Sequence, residues 1–98
     1  MSGEGFTADQ DGYYITKQAT SILDYSLDWS QWLDGDTIVN SDWSLQAGLS
    51  LVEQGHDSAS TSVTISGGDA GSIYLVKNTI ETQGGLKDSR SFRLIVEP

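Results

Sequence analysis

One histidine stands in this 98-residue chain, and its neighbours are suggestive: His56 is followed by Asp57, Ser58 and Ser60. Serine nucleophiles need a base to take the proton, a second group to orient that base, and donors aimed at the oxyanion. Residues 54–60, QGHDSAS, are polar throughout and read as an exposed turn, which supplies those residue types without a rigid support. His56 is therefore expected to be a surface histidine. Asp24 and Asp28 could pair as acid and base, but four residues along a strand span about 13 Å. Glycosidase carboxylates sit about 5–9.5 Å apart. These two are expected on the wet face of a strand, with Asp28 also placed to accept backbone hydrogen bonds at the strand end. Asp34, Asp36 and Asp42, with Asn40, are hard oxygen donors of the sort calcium takes. They lack the D-x-[DN]-x-[DN]-G order and the distal Glu of an EF-hand loop, and Asp-Gly-Asp is common turn chemistry. The glycine stretch 67–71, GGDAG, lacks the lysine of a phosphate-binding loop and precedes a strand pattern rather than a helix. No catalytic, cofactor-binding or metal-binding residue is expected.

Three tryptophans remain. Exposed aromatic rings serve as stacking platforms for sugars and as anchors in protein interfaces. Trp29 continues an alternation of Leu23, Tyr25 and Leu27, and Trp43 is in phase with Val39 and Leu45, so both belong in a core. Trp32 stays open between core, protein interface and ligand contact. Phe6, Tyr13 and Tyr14 interrupt an otherwise polar N-terminal stretch, either as a first edge strand or as a segment that orders on a partner. With Trp32 they are the candidate interface residues.

The elements that position these residues are strands. Residues 21–29 alternate with a period of two, one face apolar and one wet. Trp29, Trp32 and Leu33 at i, i+3 and i+4 fit a single helical turn with Ser30 as N-cap, closed by Asp34-Gly35-Asp36. A strand at 37–45 follows, broken by Ala47-Gly48, and Leu49 and Leu51 begin another. Residues 61–66 carry Val63 and Ile65, and 72–82 carry Tyr74, Val76 and Ile80. Gln83-Gly84-Gly85 turns the chain into a last strand at 87–96 with Phe92, Leu94 and Val96 inward. Six to seven short strands with turn signals every eight to twelve residues indicate an all-β sandwich of the immunoglobulin-like kind. The expected division is an N-terminal polar arm at 1–17 and a sandwich domain at 18–98.

Composition bounds the function. Fourteen carboxylates face five cations, for a net charge of −9, and no Lys or Arg occurs from Asp24 to Asp69. Such a field repels phosphates, so nucleic acid is not an expected partner. The acidity supports solubility, and it also offers electrostatic complementarity between subunits or with a basic partner. No apolar run nears the roughly 20 residues of a membrane helix, and the N-terminus lacks the features of a secretory signal. With no cysteine, the domain stands on packing alone.

The order of motifs carries a resemblance. Leu23-Asp24-Tyr25-Ser26-Leu27-Asp28-Trp29-Ser30-Gln31-Trp32-Leu33, then Gly35-Asp36-Thr37-Ile38, resembles a signature of small bacteriophage virion proteins. These are fibre–tail adaptors, or Ig-like proteins encoded among the head-to-tail connector genes. Gly48-Leu49, Gly67-Gly68-Asp69-Ala70-Gly71-Ser72-Ile73-Tyr74, Thr79-Ile80-Glu81-Thr82, Gly85 and Asp88-Ser89-Arg90-Ser91-Phe92 follow in order. The resemblance spans roughly residues 17–97. Lys17-Gln18-Ala19 departs from the proline-containing lead common in relatives. The resemblance implies an Ig-like sandwich built in many copies into a virion tail or neck, made in the host cytoplasm, with other phage structural proteins as partners. It implies no catalysis and no cofactor. The alternative from the residues alone is a carbohydrate- or cell-surface-binding Ig-like module, which rests on aromatic content and acidity.

Overall fold

In the computed structural model, residues 7–9 and 12–98 are described. The chain runs through β1 (Thr7–Asp9), β2 (Gly12–Lys17), β3 (Leu23–Asp28), a single helical turn α1 (Ser30–Leu33), β4 (Ile38–Leu45), β5 (Leu49–His56), β6 (Ser60–Gly67), β7 (Ile73–Thr82) and β8 (Lys87–Val96). Among the described residues these strands form two sheets, one ordered β1-β2-β8-β7-β4 and the other β3-β6-β5. The fold is an all-β sandwich. All pairings are antiparallel except β2 with β8, which is parallel.

Alternation builds the interior. On β7, Tyr74, Val76, Asn78, Ile80 and Thr82 are buried while Ile73, Leu75, Lys77 and Glu81 are exposed. The register then sets their neighbours: Val76 faces Phe92 and Tyr74 faces Leu94 across the β7–β8 ladder. Opposite them, Tyr25, Leu27, Val63 and Ile65 come from the smaller sheet. Trp29 is fully buried just past the end of β3. Tyr25 and Trp43 both tilt onto Phe92, with ring centroids 6.1 and 6.3 Å away.

A polar hub joins the sheets inside this core. The side-chain oxygen of Asn78 accepts from Trp29 Nε1 (3.1 Å) and from Thr61 Oγ1 (2.8 Å). Its amide nitrogen donates to Ser41 Oγ and to the Asp42 carbonyl, both at 3.0 Å. Asn78 is thus satisfied on both sides by residues of β4, β6 and the β3–α1 junction, although it is fully buried. A satisfied buried network of this kind fixes how two layers sit on each other, because any slip strands a polar group.

Three residues expected in the core are instead partly exposed. Val39 is 48% exposed because a bulge between Ile38 and Asn40 adds one residue to β4. The bulge resets the alternation, so Ile38 takes the inward place and Trp43 keeps its own. Leu23 (39%) and Leu51 (38%) are the two ends of one cross-strand row whose centre, Ile65, is fully buried. Both lie on the edge strands of a three-stranded sheet, so each has a strand neighbour on one side only. Leu45 and Leu49 are half-buried against the core. Leu33 and Ile38 are buried members that the alternation did not single out.

The strand before β3 and the turns complete the fold. The boundary between residues 17 and 18 falls directly after a strand: β2 is paired along β8, and Lys17 is buried. Its Nζ donates to the Gln18 carbonyl at 2.6 Å, and burial lowers its pKa. The N-cap of α1 is Trp29 rather than Ser30, and the Asp28 side chain accepts from the Ser30 backbone N–H at 2.9 Å. β5 runs on to His56, which shortens the expected loop at 54–60. Gly68 shows why the 67–71 turn needs glycine. Its φ is +94°, and a Cβ there would sit 2.7 Å from Val96 Cγ2.

Candidate functional site

The chemistry-bearing residues are dispersed. Ser60 donates to Asp57, whose Oδ1 accepts from Ala59 N, Ser60 N and Ser60 Oγ at 2.7–2.9 Å. Those bonds, led by the Ala59 N–H, hold the Asp57 carboxyl below the usual carboxylate range. His56 is exposed, with Nδ1 3.1 Å from the Asp57 carbonyl oxygen, so the four residues make a turn and not a nucleophile–base pair. Asp24 receives a hydrogen bond from Thr64 Oγ1. Asp28 is held below the usual range by hydrogen bonds from the Ser30 side chain and backbone. Asp36 is lowered by hydrogen bonds from Thr82, Thr37 and Gly84, so it ties the α1–β4 corner to the β7–β8 turn. Asp34 takes a left-handed conformation at φ 48° after α1. No grouping of three or more metal-ligating side chains occurs among the described residues.

The tryptophans are largely occupied by packing. Trp29 is stacked beneath Arg90, whose guanidinium carbon lies 4.1 Å from the ring centroid, and Arg90 Nη1 donates to the Asp28 carbonyl. Trp32 is half-buried with its ring edge-on to Trp29 at 5.5 Å. Trp43 is buried. Of the other candidate interface residues, Tyr13 is 54% exposed on β2, Tyr14 is half-buried with Arg93 5.4 Å above its ring, and Phe6 lies outside the described residues.

What the fold leaves to solvent is two broad sheet faces of different character. On the outer face of the five-stranded sheet, register places Tyr14, Arg93 and Leu75 in one row and Thr16, Ile95 and Ile73 in the next. Ile73 and Leu75 are 59% and 46% exposed. Further along the same face come Lys77 with Ser91, Thr79 hydrogen-bonded to Ser89 at 2.8 Å, and Glu81 with Lys87. The outer face of the three-stranded sheet carries the row Asp24, Thr64, Glu53, and beside it Ser26, Ser62, Gly55. This second face is a shallow concavity lined by those side chains and the backbone between them. The first face is apolar at one end and carries charges of both signs further along, Lys77 and Lys87 with Asp42 and Glu81, whereas the second is acidic and hydroxyl-rich. Ile73, Leu75 and Ile95 were not singled out by periodicity, yet the runs Ile73-Tyr74-Leu75-Val76 and Leu94-Ile95-Val96 are apolar on both phases, the signature of a strand with two apolar faces.

The described residues thus make a sandwich that buries its tryptophans wholly or in part and presents two contrasting sheet faces. Over residues 17–95 the sequence matches the family described as podophage GP4 fiber-tail adaptor protein gp77, and the chain belongs to that family. No curated protein matches it.

Proposed function

We propose that this chain is a structural component of a phage virion, an Ig-like adaptor that joins fibre to tail and works by shape and surface rather than by catalysis. The observation that carries the reading is the family match across residues 17–95, which takes in β3 through almost all of β8. The Ig-like part rests on strand order. β3, β6 and β5 correspond to strands B, E and D of an immunoglobulin sandwich, and β4, β7 and β8 to strands C, F and G. The buried Trp43 sits on the C-equivalent strand, where such domains hold their core tryptophan. In this reading the hub at Asn78 keeps the two sheets in fixed relation, so a load on one outer face is passed to the other without rearrangement.

Its partners are then other tail or fibre proteins in a multicopy assembly, with neither nucleic acid nor membrane among them. The direct test is proteomic analysis of purified particles, followed by cryo-EM to locate the density. Purified particles that lack the protein would sink the adaptor reading.

A further inference from the structure

We propose that the free edge of β3 takes up an extended segment of a partner protein as an added strand, one that alternates basic or hydroxyl side chains with apolar ones. That the segment belongs to another virion protein rests on the adaptor reading; the edge itself comes from the structure.

Four strands border the two sheets, β1 and β4 on the wider and β3 and β5 on the narrower. β1 is three residues long, and β4 and β5 each carry a bulge, between Ile38 and Asn40 and between Leu51 and Glu53. Short strands and bulges blunt an edge against pairing. β3 has neither protection. It pairs with β6 in unbroken register over Leu23–Asp28, and among the described residues no strand lies on its other side.

The ladder fixes which backbone groups of β3 face outward. Trp29 N donates to the Ala59 carbonyl at 2.8 Å, which continues the β3–β6 register by one pair. Bonded and non-bonded pairs alternate along an antiparallel ladder, so Leu27, Tyr25 and Leu23 spend their N–H and C=O on β6. The N–H and C=O of Asp24, Ser26 and Asp28 then point to the open side. Asp28 agrees, since its carbonyl accepts from Arg90 Nη1 at 3.0 Å, and this contact closes that end of the edge. Asp24 and Ser26 are exposed and keep the rest of it accessible.

The flanking side chains define the occupant. A strand added there sets residues opposite Asp24 and Ser26, about 5.5 Å between Cα atoms, with side chains on the same outer face. That face has no Lys or Arg, and Glu53 stands in one row with Asp24 across Thr64. Thr64 donates to Oδ1 of Asp24, which leaves Oδ2 for a partner cation. A Lys or Arg opposite Asp24 is drawn in and a carboxylate is refused. On the inner side Leu23 is 39% exposed for want of a neighbour, and an apolar residue of the added strand covers it. A second copy of β3 fits poorly, because antiparallel pairing centred on Ser26 sets Asp24 against Asp28.

The test uses the full chain labelled with nitrogen-15 and two synthetic peptides. One alternates Val with Lys and Ser; the other has Glu in place of every Lys. In the free chain, amide exchange should be fast at Asp24 and Ser26 and slow at Tyr25 and Leu27. The Lys peptide should slow exchange at Asp24 and Ser26, and the Glu peptide should bind at least tenfold more weakly. Asp24→Lys should reverse that preference. Ser26→Pro should keep the circular dichroism spectrum, because an edge strand tolerates Pro where its N–H faces away from the ladder, and should lose peptide binding.

Protection of the Asp24 and Ser26 amides in the free chain would overturn the proposal, since something else then covers the edge. So would millimolar Lys peptide that leaves these amides unchanged, or equal binding of the two peptides. Failure of the peptides leaves the adaptor reading standing, whereas particles that lack the protein remove that reading without bearing on the edge.

Discussion

The two outer faces of this sandwich are built by the same rule and come out different. On β7, stepping outward gives Ile73, Leu75, Lys77 and Glu81; on β3 it gives Asp24, Ser26 and Asp28. Both strands alternate, β7 burying its whole other phase and β3 burying Tyr25 and Leu27 while Leu23 stays partly exposed. β7 lies between β8 and β4 in the wider sheet, so its outward side chains are flanked by those of two neighbours and form a continuous patch. β3 is an edge strand, and an outward charge there keeps a free edge from pairing indiscriminately. The difference teaches that solvent-facing residues of a β-domain are selected by position in the sheet as much as by phase in the strand.

The contrast depends on the interior that holds the faces apart, and the largest effect should come from breaking it. Trp29→Ala removes a fully buried ring together with the platform for Arg90 and Trp32, and should cost about 3–5 kcal/mol. Chemical denaturation checks this, and an unchanged midpoint would place the ring outside the stabilising core. Asn78→Leu is nearly isosteric but orphans Trp29 Nε1 and Thr61 Oγ1, so about 2–4 kcal/mol should be lost. The double change Asn78→Leu with Thr61→Val should recover part of that loss, since it removes one orphan.

The tyrosine beneath the acidic face gives a pH handle on the same interior. Burial pushes the Tyr25 hydroxyl up to about 12, from 10.0 when exposed. The folded state therefore holds this proton more tightly than the unfolded chain. The contribution is complete below pH 10 and is lost as the pH rises through about 12. The melting temperature should fall across that window, and Tyr25→Phe should flatten the fall; an equal fall in the variant would trace the alkaline loss to other groups. At the acid end the sign reverses. The carboxyl of Asp57 is lowered below 3.8, so its contribution is present above the usual carboxylate range and is lost as the pH drops through the folded value. Asp57→Ala should lessen the slope of melting temperature against pH below pH 4.

The smallest effects belong to the faces themselves. Ile73→Ser and Glu53→Gln change exposed side chains and should alter stability by no more than about 0.5 kcal/mol. A much larger loss at Ile73 would mean that this face already packs against its own chain.

Much of this protein was legible in its order of residues. Alternation in β3, β6, β7 and β8 names Tyr25, Leu27, Val63, Ile65, Tyr74, Val76, Ile80, Phe92, Leu94 and Val96, all of them buried. Period-two patterning is a local property, and burying one phase against another sheet is its cheapest outcome. The motif order from Leu23 to Phe92 was likewise present in one dimension and points to the family the chain belongs to. Tertiary structure decided the rest. The bulge that trades Val39 for Ile38 depends on the partner strand, and the exposure of Leu23 and Leu51 depends on which strands are edges. The burial of Lys17 follows from a parallel pairing with β8, whose partner residues lie far along the chain. No local pattern marks Asn78 as the hub, because its four partners come from positions 29, 41, 42 and 61. The gathering of Lys77, Lys87 and Arg93 on one outer face, beside Glu81 and Asp42, arises in the same way. A strand states which residues share a side, and only the packing of two sheets decides which side meets water.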